Sequence, residues 1–88
     1  MSVKKEVYRR DNGRCIFCGR PGLPNAHYIS RAHGGLGISE NIVTACLDCH
    51  RRMDQSPGRK IYLAAAKAYL RGFYEVWDED DLIYRKGL

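Results

Sequence analysis

Residues 15–19 read CIFCG and residues 45–50 read ACLDCH, so two C-x2-C pairs stand 27 residues apart. Two residues between paired cysteines let both sulfur atoms face one tetrahedral ion, and two such pairs complete a zinc site. An ion held in this way contributes about 10 kcal/mol to a small domain, so folding should depend on it. The spacing therefore predicts a structural zinc ion bound by four thiolates: Cys15, Cys18, Cys46 and Cys49.

The same cysteines allow two other interpretations. Two disulfides would also stabilise a short chain, but a cytosolic chain keeps its thiols reduced. The stretch from Cys46 to His50 also matches the C-x-x-C-H pattern of covalent haem attachment, which would leave Cys15 and Cys18 without a role. We therefore prefer zinc to both alternatives.

Length and charge limit the possible classes of protein. The chain has 88 residues and a net charge of +5, which excludes two-domain architectures and barrels. The excess positive charge lies in residues 1–31, where seven basic groups face two acidic ones. Such a region suits nucleic acid, although a merely solvated surface has the same composition. With neither a signal-like apolar segment nor a membrane-length stretch, the expected location is the cytoplasm.

Hydrophobic spacing and turn residues predict an α+β domain with short elements. The face from Ile61 to Phe73 is expected to pack over the zinc-bearing half, and three glycines between residues 34 and 37 indicate a flexible loop. Asp78 is a candidate N-cap, and residues 82–84 are expected to fold back onto the body. The predicted elements are a helix over residues 2–10, a strand over 26–29, a strand or helical turn over 42–45, and helices over about 50–55 and 59–74.

Residues 26–54 read AHYISRAHGGLGISENIVTACLDCHRRMD. His27 stands seven residues before the Gly34–Gly35 pair, Asn41 six residues after it, and His50 nine residues beyond Asn41. With this spacing, about residues 8–56 resemble the HNH endonucleases, in particular the compact four-cysteine type encoded by tailed bacteriophages. The resemblance implies a ββα-metal fold around one catalytic divalent ion, in a single HNH nuclease domain over residues 1–88 with a helical extension over about 59–88.

The resemblance also implies a role for each matching residue. His27 corresponds to the general base that takes a proton from water, a task suited to an imidazole because its pKa lies near working pH. Asn41 corresponds to a residue that braces the loop and orients the base. His50 corresponds to a ligand of the catalytic ion. Asp54, one helical turn later, corresponds to a second ligand, with an ion pair to a neighbouring arginine as the alternative.

The implied reaction is metal-dependent hydrolysis of a DNA phosphodiester bond. A single site in a monomer implies nicking, and a scheme without contacts to base edges implies weak sequence preference. Mg²⁺, Mn²⁺, Ni²⁺ and Zn²⁺ all suit the ligands. The resemblance further suggests a role in phage DNA packaging in the host cytoplasm, with terminase or portal proteins as partners. Four arginines are candidate phosphate contacts: Arg9, Arg10, Arg31 and Arg51.

One position departs from the family pattern. Many HNH proteins carry Asp or His as a metal ligand directly before the base, where this chain has Ala26. Since Ala26 cannot bind a metal ion, His33 in the glycine loop is a candidate for the missing ligand. The departure also allows a different function, namely a non-catalytic zinc module that binds nucleic acid or protein through a degenerate HNH site.

Overall fold

The computed structural model of the protein describes residues 2–84. Residues 85–88 of the expected helical extension lie outside this range. Three α-helices and two β-strands follow one another in the order α1 (Val3–Arg10), β1 (Leu23–His27), β2 (Ile42–Ala45), α2 (Leu47–Gln55) and α3 (Arg59–Phe73). Short 3₁₀ turns cover Arg31–His33, Ser39–Asn41 and Glu79–Leu82. The predicted α+β class is confirmed, and no helix within residues 2–84 is long and apolar enough to cross a membrane.

The two strands form an antiparallel pair that leads directly into α2. Ala26 pairs with Val43 and His27 with Ile42, while the register shifts between Leu23 and Ala26. The irregularity contains Pro24, which has no amide hydrogen to donate to a ladder. The predicted strand over residues 26–29 is therefore placed too late, although the Tyr28 amide still donates to the Asn41 carbonyl at 2.7 Å.

Helix α1 is fixed to the rest of the domain at its C-terminal end. Ser2 caps its start by accepting from the Lys5 amide at 3.2 Å, and Val7 is fully buried. Asp11, which follows the helix, accepts hydrogen bonds from the Tyr69 hydroxyl at 2.7 Å and from the Thr44 amide at 2.8 Å. This carboxylate therefore joins α1, β2 and α3.

The side chain of Arg10 is also committed to this junction. Its five N–H groups donate to both Asp11 carboxylate oxygens, the Ser39 and Ile42 carbonyls, and the Tyr74 hydroxyl. A guanidinium has five donors in all, so none remains for a phosphate. The prediction that Arg10 contacts DNA is therefore wrong. Burial raises the pKa of Asp11, but hydrogen bonds from Arg10, Tyr69 and Thr44 outweigh it and lower that pKa below its usual value.

The core lies between the sheet and the two C-terminal helices. Met53 of α2 and Ala66 and Leu70 of α3 are almost completely buried. The predicted Ile61–Phe73 face is buried only in part: Leu63 and Tyr69 pack against the core, whereas Ile61 is 76% exposed and Phe73 is 49% exposed. The buried cluster also contains two cysteines, which brings the metal site to the edge of the core: Cys15, Ala26, Val43, Ala45, Cys49, Met53, Ala66 and Leu70.

The segment after α3 returns to the loop between the strands. Asp78 caps the last 3₁₀ turn by accepting from the Asp80 amide at 2.9 Å, and Leu82 is buried. The Leu36 amide donates to the Leu82 carbonyl, and the Tyr84 amide donates to the Gly34 carbonyl, both at 2.8 Å. The predicted cap and the predicted return of residues 82–84 are both confirmed.

Candidate metal centre and active site

The four cysteines converge at one point. Their sulfur atoms all lie within 4.8 Å of one another, and Cys18 Sγ lies 3.6 Å from Cys46 Sγ. Four sulfurs placed about 2.3 Å from a tetrahedral zinc ion would stand about 3.8 Å apart, so the donors fit this ion. All four are free thiols, and 3.6 Å greatly exceeds the disulfide bond length of about 2.05 Å. The cluster supports zinc over disulfides, and over haem attachment because both pairs take part.

Local backbone structure presents the sulfurs to one another. In the first pair, the Gly19 amide donates to the Cys15 carbonyl at 2.9 Å. In the second pair, Cys46 is the N-cap of α2, and its sulfur accepts from the Cys49 amide at 3.4 Å. Burial raises the pKa of Cys15, but hydrogen bonds from nearby backbone amides outweigh it and lower that pKa to about 7. One thiol of the cluster can therefore ionise near neutral pH, whereas burial and the neighbouring thiols raise the pKa of Cys49.

The sheet and α2 bring His27 and His50 near each other. His27 ends β1, and His50 lies in the first turn of α2, where its amide donates to the Cys46 carbonyl at 2.9 Å. The Nε2 atom of His27 is buried and has no hydrogen-bond partner among residues 2–84. A buried ring nitrogen without a protein partner is unusual and calls for an explanation, and a catalytic role is one of those that apply to it.

The surroundings of His27 favour its neutral form. Burial lowers the pKa of His27 below its usual value, and the positive charges of Arg31 and Lys4, with that of His50 when protonated, lower it further. A hydrogen bond with the Asn25 backbone acts in the opposite direction without reversing the shift. The imidazole is therefore ready to accept a proton near neutral pH.

His50 and Asp54 form a second pair of donors one helical turn apart. His50 Nε2 lies 3.4 Å from Asp54 Oδ2, and both line a surface cleft of about 370 Å³ on α2. Apart from the cysteines, the described residues contain no group of three His, Cys, Asp or Glu donors that could hold an ion. One imidazole and one carboxylate fit a divalent cation whose other positions are filled by water and phosphate. Ala26 is fully buried in the core and supplies no donor.

Asn41 is held inside the loop that joins the strands. It is 0% exposed. Its Oδ1 accepts from the Ile29 amide at 2.8 Å, and its Nδ2 donates to the carbonyls of Ile29 at 3.0 Å and Leu36 at 2.9 Å. These bonds connect the residues just after His27 to the far side of the loop, so the side chain fixes the path of the chain beyond the base.

Residues 15–55 match the family model for HNH endonuclease. This segment is similar to HNH endonucleases. The match contains both cysteine pairs, His27, Asn41 and His50, in agreement with the resemblance inferred from their spacing. No curated protein matches the chain significantly.

The remaining candidate residues lie at different places on the surface. Arg31 and Arg51 are exposed; Arg31 acts electrostatically on His27, and Arg51 lines the cleft of His50 and Asp54. Arg9 is exposed on α1. His33 is hydrogen-bonded to the Ser30 hydroxyl at 2.7 Å and lines a different cleft, so the geometry does not favour it as the replacement ligand.

Sequence reasoning missed Lys4, whose charge acts on the candidate base His27. Lys4 belongs to α1, yet its charge acts on His27 because α1 packs against β1. The signal that the sequence offered was the excess of basic residues in its first third. Which of those residues approaches His27 depends on how α1 packs against the sheet.

Proposed function

We propose that the protein is a metal-dependent endonuclease that hydrolyses phosphodiester bonds in DNA. The observation that carries this proposal is the unpartnered Nε2 of His27, in a side chain that His50 of the His50–Asp54 pair influences electrostatically. A base and an ion site next to each other are the two parts that phosphodiester hydrolysis needs. The family match and the basic first third of the chain support nucleic acid as the substrate.

In the proposed reaction, neutral His27 takes a proton from the attacking water at Nε2 and becomes an imidazolium ion. The water oxygen bonds to phosphorus while the bond from phosphorus to the leaving 3′ oxygen breaks. His50 and Asp54 would hold a divalent cation, which when bound stabilises negative charge on the scissile phosphate. Arg31 lies close enough to His27 to affect its charge state, and we propose that it contacts a phosphate beside the attacked one. Arg51 has the same proposed role at the cleft of His50 and Asp54.

One active site in a monomer predicts nicks rather than double-strand breaks. Because this scheme uses phosphate contacts and no contacts to base edges, we propose weak sequence preference. A place in phage DNA packaging, with terminase or portal proteins as partners, is implied by the resemblance to phage HNH proteins alone.

The proposal is tested by following conversion of supercoiled plasmid to open circles. Zinc-loaded protein is assayed with added Mg²⁺, Mn²⁺ or Ni²⁺. We expect ion-dependent nicking that falls about 10²- to 10⁴-fold in His27→Ala. His33→Ala is the matched control and should retain activity, because His33 is exposed and lines a different cleft. Nicking that persists in His27→Ala would refute the role of this base.

The second candidate function is a non-catalytic zinc module that binds nucleic acid or protein. The observation that favours it is Ala26, whose buried methyl group stands at the position of a usual metal ligand. If folded, zinc-bound protein fails to nick with any of the added ions, this second function is the better account of the molecule.

A further inference from the structure

Helix α1 presents a basic surface with an aromatic ring at its centre. We call it the α1 platform, and it consists of Lys4, Lys5, Tyr8, Arg9 and Pro24. The four helical residues follow an i, i+1, i+4, i+5 pattern, which places them on one side of the helix. Together with Pro24 of β1 they line a shallow depression of about 370 Å³.

The Tyr8 side chain is exposed on one side and contacts the turn after α1 on the other. The side chain is 49% exposed. On its inner side the ring lies against Gly13, where an added Cβ would come within 2.6 Å of Tyr8 Cζ. Gly13 also has a φ of +67°, a conformation in which glycine is favoured. The turn after α1 therefore supports the ring from below and leaves its outer side open to a ligand.

Several other aromatic side chains are already engaged within the fold. The hydroxyl of Tyr69 donates to Asp11 and that of Tyr28 to Glu79, while the indole of Trp77 donates to the Glu40 carbonyl. The Tyr62 ring packs edge-on against Phe17, with 5.0 Å between ring centres. Tyr8 differs from them because its exposed ring is surrounded by three cationic side chains.

The α1 platform also lies close to the proposed active site. Pro24 and His27 belong to the same strand, three residues apart, which is about 10 Å along the strand. Even at the duplex rise of about 3.4 Å per nucleotide, this distance takes no more than about three nucleotides, and a more extended unpaired strand takes fewer. The charge of Lys4 acts on His27 directly. One bound strand can therefore reach both places.

We propose that the α1 platform binds an unpaired segment of DNA next to the cleaved bond, with a base stacked on Tyr8 and phosphates contacted by Lys4, Lys5 and Arg9. Stacking needs an open base face, which a regular duplex does not offer at its side. The substrate class is then DNA that contains a single-stranded or unpaired segment. The link to cleavage rests on the proposed nuclease function, whereas the binding itself does not.

Binding is measured with protein that carries one equivalent of zinc for the four-cysteine site and with no other divalent ions, so that the proposed catalytic site holds no ion. Fluorescence anisotropy compares labelled dT12 with a dT12·dA12 duplex. We expect Tyr8→Ala to bind dT12 about 5- to 150-fold more weakly, as loss of one stacked base implies. Tyr8→Phe should bind like the wild type, and Tyr8→Leu should be as weak as Tyr8→Ala while preserving packing against Gly13.

Tyr84→Ala is the matched control, because Tyr84 is 67% exposed and its backbone pairs with Gly34. It should leave binding of dT12 unchanged. Lys5→Gln should reduce the salt dependence of dT12 binding by about 0.7 in the log–log slope. Equal affinity of wild type, Tyr8→Ala and Tyr8→Leu for dT12 overturns the proposal. It is also overturned if Tyr8→Ala loses as much affinity for the duplex as it loses for dT12. Tyr8-dependent binding without plasmid nicking would contradict the proposed nuclease function and leave the proposed binding site supported.

Discussion

Asn41 has the most constrained polar side chain near the proposed active site. It uses one acceptor and two donors on backbone groups of the loop that follows His27. The side chain is completely buried, so removing it would leave those backbone groups without partners. Buried polar groups left in this state cost about 1–3 kcal/mol each.

Asn41→Ala should therefore lower the free energy of unfolding by at least about 2 kcal/mol. Because the loop would lose its fixed path, nicking should fall about 10- to 100-fold even at temperatures where the variant is folded. Denaturant unfolding and the plasmid assay measure the two effects. Asn25→Ala is the control, since Asn25 is exposed and surface changes stay within about 0.5 kcal/mol. Equal stability of the two variants would show that Asn41 is not the brace.

The sequence alone does not show whether a given arginine is exposed or hydrogen-bonded within the fold. Arg9 and Arg10 are adjacent and chemically identical, yet Arg9 is exposed while Arg10 donates all five of its N–H groups within the fold. This difference depends on hydrogen-bond partners that lie far along the chain, such as Tyr74. The spacing of His27, Asn41 and His50 was informative because it belongs to a local motif.

At the scale of elements, the loop between β1 and β2 is more ordered than its glycines suggest. The sequence predicted a flexible loop around residues 34–37, but hydrogen bonds attach Gly34 and Leu36 to the returning C-terminal segment. Gly35 donates to the Ser30 carbonyl at 2.9 Å. An added Cβ at Gly35 would lie 1.8 Å from the Ile29 carbonyl oxygen. This glycine permits close approach of two backbone segments.

Gly35→Ala should destabilise the domain by about 1–3 kcal/mol, because backbone rather than a flexible side chain must move. Gly37→Ala is the paired control, since an added Cβ there meets nothing within 4 Å. That control should be neutral or stabilising by up to about 1 kcal/mol. Thermal unfolding of both variants checks the difference. Identical midpoints would indicate that the loop is as loose as its composition suggests.

The helices and strands were predictable where local signals dominate. Helix α3 lies within one residue of its predicted bounds, since strong helix formers specify it. Residues 42–45, predicted as a strand or a helical turn, form the strand β2 that their β-branched residues favour. Strand β1 was placed too late because its register shift at Pro24 depends on pairing with β2. Helix α2 begins at Leu47 rather than His50 because Cys46 acts as its N-cap, a role that a cysteine rarely signals.

For the whole molecule, the zinc site connects two segments that are far apart in the sequence. The first cysteine pair lies in the turns between α1 and β1, and the second lies at the junction of β2 and α2. A chain of 88 residues has a small core and a total stability of about 5–15 kcal/mol. A contribution of about 10 kcal/mol from zinc is comparable with that whole stability. The fold and its metal should therefore be inseparable.

Removing zinc with excess strong chelator under reducing conditions should abolish the cooperative unfolding transition and most of the helical circular dichroism signal. Adding about one equivalent of Zn²⁺ should restore both, because four thiolates form one tetrahedral site. Mg²⁺ is the control and should restore neither, since it prefers oxygen ligands. Protein shown to be free of metal that keeps its helical signal and its unfolding midpoint would contradict this dependence. In that case the 3.6 Å approach of Cys18 and Cys46 would reflect packing around the cysteines alone.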